Sequence, residues 1–257
     1  MSKIKNPPLW ASQNFLTSPL TIKRIIDISG IDKTDHVVEI GAGKGHITAR
    51  LIEKSGRVTA LEIDKRLYGR LTAKFCETPG LSLICADFFG WKLPATPYKV
   101  FANIPFSGTT EIIKKLTSSG NPPDKAWLVV EKGAAKRFMG NPRESSLSLS
   151  LKPFFDCGVK YYFQRQDFHP APSVDAVLFY IKRKETPDIS PRERGHFNRF
   201  ITACLSKPNM LYTLLTKKQI STAFKKAGLP NSVPPSGDML YVQWLCLFRC
   251  YMKYGKR

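Results

Sequence analysis

Acid is the scarce commodity in this 257-residue chain: 20 Asp and Glu stand against 40 Lys and Arg, a formal net charge of +20. That shortage excludes a balanced surface and suits a polyanionic partner, nucleic acid or an acidic membrane. Long apolar runs are also missing. No stretch reaches eighteen apolar residues, and the longest, such as Ala126 to Val130, are strand-sized, so no spanning helix is expected and nucleic acid is the stronger candidate. Met1 to Pro8 has no apolar h-region, so no secretory signal is expected and the chain is read as cytoplasmic. The six cysteines include no C-x-x-C spacing, which removes a zinc ribbon and a dithiol redox pair. Cys246 and Cys250 would share a helix face without further ligands, so no metal is expected. There is no internal repeat and no low-complexity tract. A hydrophobic share of 42% is enough to close a core, either one large domain or a large one with a small one.

From residue 36 short apolar runs alternate with helical stretches. The pattern predicts strands at 36–40, 57–63, 81–85, 98–102 and 126–130, with helices at 46–54, 66–77 and 111–116. Strand and helix in turn imply βαβ units, a parallel sheet covered on both faces, and ligands at the carboxyl ends of its strands. Two later runs, 159–163 and 176–181, are separated only by a loop holding Pro170 and Pro172, and are expected as an antiparallel sixth and seventh strand. Thr186, Pro187, Ser190 and Pro191 read as a linker, followed by helices at 194–205, 217–227 and 239–251. The expected division is therefore residues 1–185, an α/β domain, and residues 186–257, a small helical one. The second carries twelve Lys and Arg against three acids, a net +9.

Glu39-Ile-Gly-Ala-Gly-Lys-Gly45 follows the first of these strands and opens a helix, where glycines let the backbone approach a nucleotide. It is neither G-x-G-x-x-G nor a P-loop, and a plain strand-to-helix turn would use the same residues. The next strand ends in Leu61-Glu-Ile-Asp64. Glu62 is placed to accept ribose hydroxyls, and Asp64 suits the cap of the following helix. The third ends in Ala86-Asp87-Phe88-Phe89, where Asp87 can accept an adenine amine flanked by aromatics; a turn Asp before core phenylalanines reads equally well. Three such features on successive strands describe a nucleoside pocket. Without a P-loop or a paired metal-binding carboxylate set, a cofactor such as S-adenosylmethionine fits better than a triphosphate.

The fourth strand ends in Asn103-Ile104-Pro105-Phe106. An exocyclic amine of a nucleobase is a poor nucleophile because its lone pair is delocalised. An Asn oxygen and a carbonyl freed by a proline turn can orient it, and the aromatic offers a flipped base a stacking face. An ordinary strand-ending turn with a core Phe remains open for the bare tetrapeptide.

Taken together, Ser12-Gln-Asn-Phe-Leu16, Glu39 to Gly45, Glu62, Asp87, Asn103 to Phe106 and Phe168-His-Pro-Ala-Pro172 with Val174 occur in an order that resembles the Erm rRNA adenine N6-methyltransferases. These are relatives of the KsgA-type dimethyladenosine transferases, and the resemblance covers nearly the whole chain. Lys44 and Ile104, where KsgA-like proteins usually carry Leu, favour Erm. The resemblance implies a Rossmann-like class I methyltransferase fold, a seven-stranded mostly parallel sheet whose last strand is antiparallel, and S-adenosylmethionine as cofactor. It implies cofactor contacts from Asn14, Leu16, Gly41, Ala42, Gly43, Glu62, Ile63, Asp87, Phe88 and Asn103. Asn103 and Ile104 would stand at the methyl-transfer centre, Phe106 would stack on the target base, and Phe168 would be a second aromatic there. Phe168 also fits a rigid hairpin loop. Phe106 stands where the family often has Tyr, which keeps the ring and removes a hydroxyl.

The implied activity is N6-methylation of one adenine in 23S rRNA by a monomer, giving resistance to macrolide, lincosamide and streptogramin B antibiotics, with residues 186–257 binding rRNA. A KsgA-like 16S rRNA dimethyltransferase and a non-catalytic RNA-binding or transcription factor on the same fold are the alternatives.

Overall fold

The computed structural model describes residues 14–207, 209–230, 234–235 and 238–255. Ser12 and Gln13 of the first motif lie outside them. The chain divides into two compact units, one of residues 1–135 and 158–183, the other of 136–157 and 184–257. Residues 136–157 thus group with the later helices, although the sequence-based division assigns them to the α/β part.

The first unit begins with β1 (Phe15–Leu16) and α1 (Pro19–Ser29), then alternates β2 (His36–Ile40), α2 (His46–Lys54), β3 (Arg57–Glu62), α3 (Lys65–Lys74), β4 (Leu81–Cys85), β5 (Lys99–Asn103), α4 (Thr109–Ser118) and β6 (Lys125–Glu131). After α5 (Lys132–Met139) and α6 (Ser146–Leu151) come β7 (Phe155–Tyr162), β8 (Phe168–His169) and β9 (Ala176–Arg183). Seven strands form one sheet in the order β4-β3-β2-β5-β6-β9-β7, and β1 pairs with β8 separately. Strands β2 to β6 pair in parallel, and β9 runs antiparallel to β6. This is the mostly parallel, Rossmann-like sheet the sequence predicts. Successive units leave β2 on opposite sides, to β3 and to β5, so the strand order switches there and opens a crevice at the carboxyl ends.

Val37, Val38, Val100, Phe101, Ala102, Leu128, Val129 and Val130 are all buried, as central strands covered on both faces require. Most predicted boundaries shift by one to four residues, two of them instructively. The third helix stops at Lys74 rather than residue 77, because Phe75 leaves helical geometry and Glu77 takes a left-handed φ of 54°. The sixth strand starts at Phe155, four residues before the apolar run. Helix α1 is an addition. Its signals are local: the Ser18 side chain accepts from the Thr21 N–H, Pro19 opens the first turn, and Gly30 ends it at φ 62°.

The second unit holds α6, α7 (Arg194–Ser206), α8 (Met210–Leu214), α9 (Lys217–Lys226) and α10 (Tyr241–Tyr254). Its core is aromatic. Phe248 meets Phe197 edge-on at 5.0 Å, Phe200 meets Trp244 at 6.3 Å, and Phe200 stacks on Tyr251 at 5.1 Å. Ile220 and Phe224 of α9 are buried as well. Thr216 and Gln219 cap α9 reciprocally, each side chain bonded to the other's backbone N–H. Among the described residues, no helix is long and apolar enough to cross a membrane.

Candidate active site

The crevice is built from four strand ends. After β2 the chain turns through Gly41, Gly43 and Gly45, all left-handed, at φ 74°, 58° and 73°. The N–H groups of Gly41 and Ala42 donate to the Leu61 carbonyl at 2.9 Å, which hooks the turn to β3. A Cβ on Gly43 would stand 3.0 Å from the Phe15 ring, whereas one on Gly41 would meet nothing within 4 Å. Gly43 is thus needed for packing and Gly41 faces open space, where a ligand's approach is unobstructed.

Glu62, at the end of β3, is 2% exposed. One carboxylate oxygen accepts from the Gly43 N–H at 2.7 Å and the other from the Asp64 N–H at 2.9 Å. A carboxylate has about four acceptor sites, so each oxygen keeps capacity for one hydroxyl of a vicinal diol. Asp64 caps α3, accepting from the N–H groups of Arg66 and Leu67 as predicted.

Past β4, Asp87 accepts from the Phe89 N–H at 3.0 Å and turns the chain so that Phe88 is buried while Asp87 stays exposed. Lys115 of α4 fixes this loop. Its ammonium donates to the carbonyls of Phe88, Phe89 and Trp91, the last two at 2.8 and 2.7 Å, and lies 4.7 Å from the Phe88 ring centre. Its own burial lowers its pKa. No motif draws attention to Lys115, because a lysine in an amphipathic helix reads as solvated surface. Glu62, Ile63, Asp87 and Phe88 line one cleft with Gly41 and Pro105.

A second cleft adjoins the glycine turn and is lined by Phe15, Leu16, Glu39, Gly41 to Lys44, His46 and Asn103. Four long-range contacts close it. Leu16 pairs with Phe168 and Phe15 with His169 across β1 and β8. The buried Asp167 accepts from the Thr21 hydroxyl at 2.6 Å, and a ring nitrogen of His46 lies 3.1 Å from the Leu16 carbonyl. Asn103 Nδ2 donates to the Asn14 carbonyl at 2.8 Å. That bond uses the donor end of the amide and leaves Oδ1 as an acceptor. Beside it, the Ile104 carbonyl accepts no hydrogen bond from the described residues, since Pro105 and the short helical turn Phe106–Gly108 lead the chain away. Phe106 is half-buried.

Phe168 is placed near Asn14 and Leu16 by the β1–β8 pairing, but its ring is 4% exposed and meets Phe163 edge-on at 5.3 Å. It offers a supporting wall rather than an open face.

Glu39 is the residue that sequence reading quotes within a motif without giving it a role. It is the last residue but one of β2, 1% exposed, and its Oε2 and the buried Thr48 hydroxyl complete no hydrogen bond among the described residues. Burial pushes its carboxyl up to about 8, aided by repulsion from Glu62 and opposed by the nearby Thr48 hydroxyl and N–H. A buried acid beside the cleft with Oε2 left unbonded fits the cationic methionine end of S-adenosylmethionine, and Glu62 with the Asp87 loop fits its adenosine. An acid in the otherwise apolar run His36-Val-Val-Glu-Ile40 was the available signal.

Comparison with known proteins places this geometry. The family model for ribosomal RNA adenine dimethylases matches residues 10–234. An rRNA adenine N-6-methyltransferase of Lysinibacillus sphaericus is 34% identical over 241 residues, 93% of this chain and 95% of that protein. One from Staphylococcus aureus is 34% identical over 248 residues, 96% and 97% of the two chains. Among solved structures, the 23S rRNA methyltransferase ErmE superposes with a TM-score of 0.82 at 24% identity, covering 93% of this chain and all of that one. A dimethyladenosine transferase from Plasmodium falciparum gives 0.73 at 21%, over 91% and 95%. With its nucleoside cleft, its Asn-Ile-Pro-Phe turn and these relatives along almost its whole length, the chain belongs to the ribosomal RNA adenine dimethylase family and is an rRNA adenine N6-methyltransferase that uses S-adenosylmethionine.

Proposed function

We propose that this enzyme methylates N6 of one adenine in 23S rRNA, acts as a cytoplasmic monomer, and thereby protects ribosomes from macrolide, lincosamide and streptogramin B antibiotics. The observation that carries the chemistry is the bond from Asn103 Nδ2 to the Asn14 carbonyl, which fixes the amide and leaves Oδ1 to accept, next in the chain to an Ile104 carbonyl that accepts no hydrogen bond from the described residues. Two acceptors side by side are what a nucleobase NH₂ requires to be held with its lone pair aimed at an electrophile. Choice of 23S over 16S rRNA rests on Lys44 and Ile104, the two positions that favour Erm. Lys44 stands 4.9 Å over the Phe15 ring at the cleft.

In this mechanism Glu62 holds the ribose hydroxyls of S-adenosylmethionine. The Asp87 loop holds the adenine, the glycine turn and Asn14-to-Leu16 segment enclose the methionine, and Glu39 answers its positive charge. When bound, the cofactor supplies an electrophilic methyl group on a sulfonium centre. Phe106 stacks on the flipped adenine, and Phe168 backs the wall from inside the core. Asn103 and Ile104 direct the amine, whose acidity rises as it is alkylated, so that it loses its proton to water. His169 is exposed and receives no catalytic role.

Transfer of labelled methyl from S-adenosylmethionine to protein-free 23S and 16S rRNA tests the reading. Label in N6-methylated adenosine of 23S rRNA is expected. Label confined to 16S rRNA would establish the KsgA-like alternative, and no transfer to either would refute the proposal.

A further inference from the structure

Helices α9 and α10 of the second unit form a groove that the chemistry above does not use. They meet along one seam, where the thiols of Cys246 and Cys250 reach the carbonyls of Ala223 and Gln219 at 3.4 and 3.8 Å. On one side of the seam Ile220, Phe224, Trp244, Leu247 and Phe248 are buried in the aromatic core. On the other side the helices diverge around a groove of about 670 Å³, within the roughly 300–1,000 Å³ typical of binding sites. Small residues such as Thr222 and Ala223 keep it open on the α9 side, and Val242, 47% exposed, and Leu245 supply an apolar floor.

The rim is charged with one sign. Lys218 and Lys226, about two helical turns apart, stand on α9, and Arg249 and Lys253 on α10; among the described residues no acid lines the groove. Among the described residues none of these four makes a direct ion pair, although the Arg249 charge helps to hold the Asp188 and Glu193 carboxyls below their usual range. Arg249 donates only to the Asp188 carbonyl, at 3.0 Å. Tyr254, 54% exposed, ends the groove with the Lys253 ammonium 5.0 Å from its ring centre.

We infer that this groove binds an unpaired RNA segment, with bases on the Val242–Leu245 floor and against Tyr254 and phosphates on Lys218, Lys226, Arg249 and Lys253. The inference deepens the rRNA reading by naming a contact for the substrate away from its target adenine. Charge complementarity selects the occupant. A second copy of this chain would set four cations against four, and a duplex would present phosphates to the rim while leaving the apolar floor uncovered. Single strands offer both halves at once, a charged backbone and flat apolar bases.

The test uses a fluorescent oligouridine of about twelve nucleotides, within the site sizes of single-strand binders, and the full chain. Oligouridine has no adenine, so the methyl-transfer site gains nothing from it. Lys218→Glu, Lys226→Glu and Lys253→Glu together should cost about tenfold or more in affinity and reduce the log–log salt slope by about 2, three phosphates at ~0.7 each. Thr222→Trp, which fills the groove without changing charge, should weaken binding with the slope preserved. Melting temperature and cofactor affinity should stay at the parent values. If the triple variant does not fold, 4-thiouridine crosslinking to the unaltered chain decides, and crosslinked peptides should come from α9 and α10. Unchanged affinity in a folded variant, crosslinks only elsewhere, or tighter binding of polyglutamate than of oligouridine would overturn the inference. Groove-dependent oligouridine binding by a chain that methylates no rRNA would refute the proposed function and leave the groove assignment standing.

Discussion

Glu39→Gln isolates the effect of one proton in the cofactor cleft. With its carboxyl pushed up from an ordinary 4.5 to about 8, Glu39 is protonated in the folded protein at neutral pH and ionised in the unfolded chain. Between those values the folded state binds more protons than the unfolded one, so stability falls as pH rises through the window. At about 1.4 kcal/mol per pH unit, the full cost above pH 8 is at most about 5 kcal/mol, comparable with the whole ~5–15 kcal/mol stability of a domain. Glutamine keeps the shape, stays neutral and removes the slope. Cofactor-free Glu39→Gln should therefore melt close to the parent at about pH 5 and clearly above it at about pH 9. A cationic ligand beside Glu39 favours the carboxylate, so cofactor binding near pH 7 should release a proton from the parent and none from the variant. Calorimetry in two buffers of different ionisation enthalpy reads that proton directly. Parallel stability profiles would show that the Glu39 carboxyl ionises in the fold as it does in the unfolded chain, and equal proton release would show that it has no part in holding the cofactor.

The other strand ends make separable demands. Glu62→Ala should weaken cofactor binding by roughly 2 kcal/mol, about thirtyfold, and equilibrium dialysis giving the parent constant would remove it from the ribose site. Lys115→Met removes a donor from three loop carbonyls, of which that of Phe88 keeps the Trp91 N–H at 3.3 Å, so cofactor affinity should drop while methyl transfer at saturating cofactor holds; an unchanged dissociation constant would show that the loop is fixed without it. Phe106→Tyr keeps the stacking ring and should remain active, whereas Phe106→Ala should lose about ten- to hundredfold at limiting rRNA, and equal activity of the two would remove stacking from the mechanism.

The parallel sheet was legible because each of its strands is a short, mostly apolar run and each helix has a stripe of its own: β2, α2 and β4 match their predicted ends. The site was legible wherever its groups sit on strand ends, since sequence order then fixes spatial order. What remained hidden depends on long-range contact. Nothing local reveals that the Asn14 carbonyl takes the Asn103 amide 89 residues away, that Lys115 tethers the loop after β4, or that Phe168 turns its ring into the core. The predicted helix end at residue 77 failed because Phe75, four residues after Leu71, continues the apolar stripe past Lys74 although the backbone has already turned. Helix α1 shows the opposite case, with Ser18, Pro19 and Gly30 marking both ends in the sequence itself.

Asn103→Ala tests the central claim most directly. Single-turnover methyl transfer is measured at saturating 23S rRNA and cofactor, with a melt to show that the variant is folded. If Oδ1 directs the amine, the rate should fall about 10²- to 10³-fold, the range for losing one preorganised group at a reacting centre, while rRNA affinity stays near the parent value. A folded Asn103→Ala that methylates at the parent rate would contradict the account, because the Asn-Ile-Pro-Phe turn would then be only a strand ending.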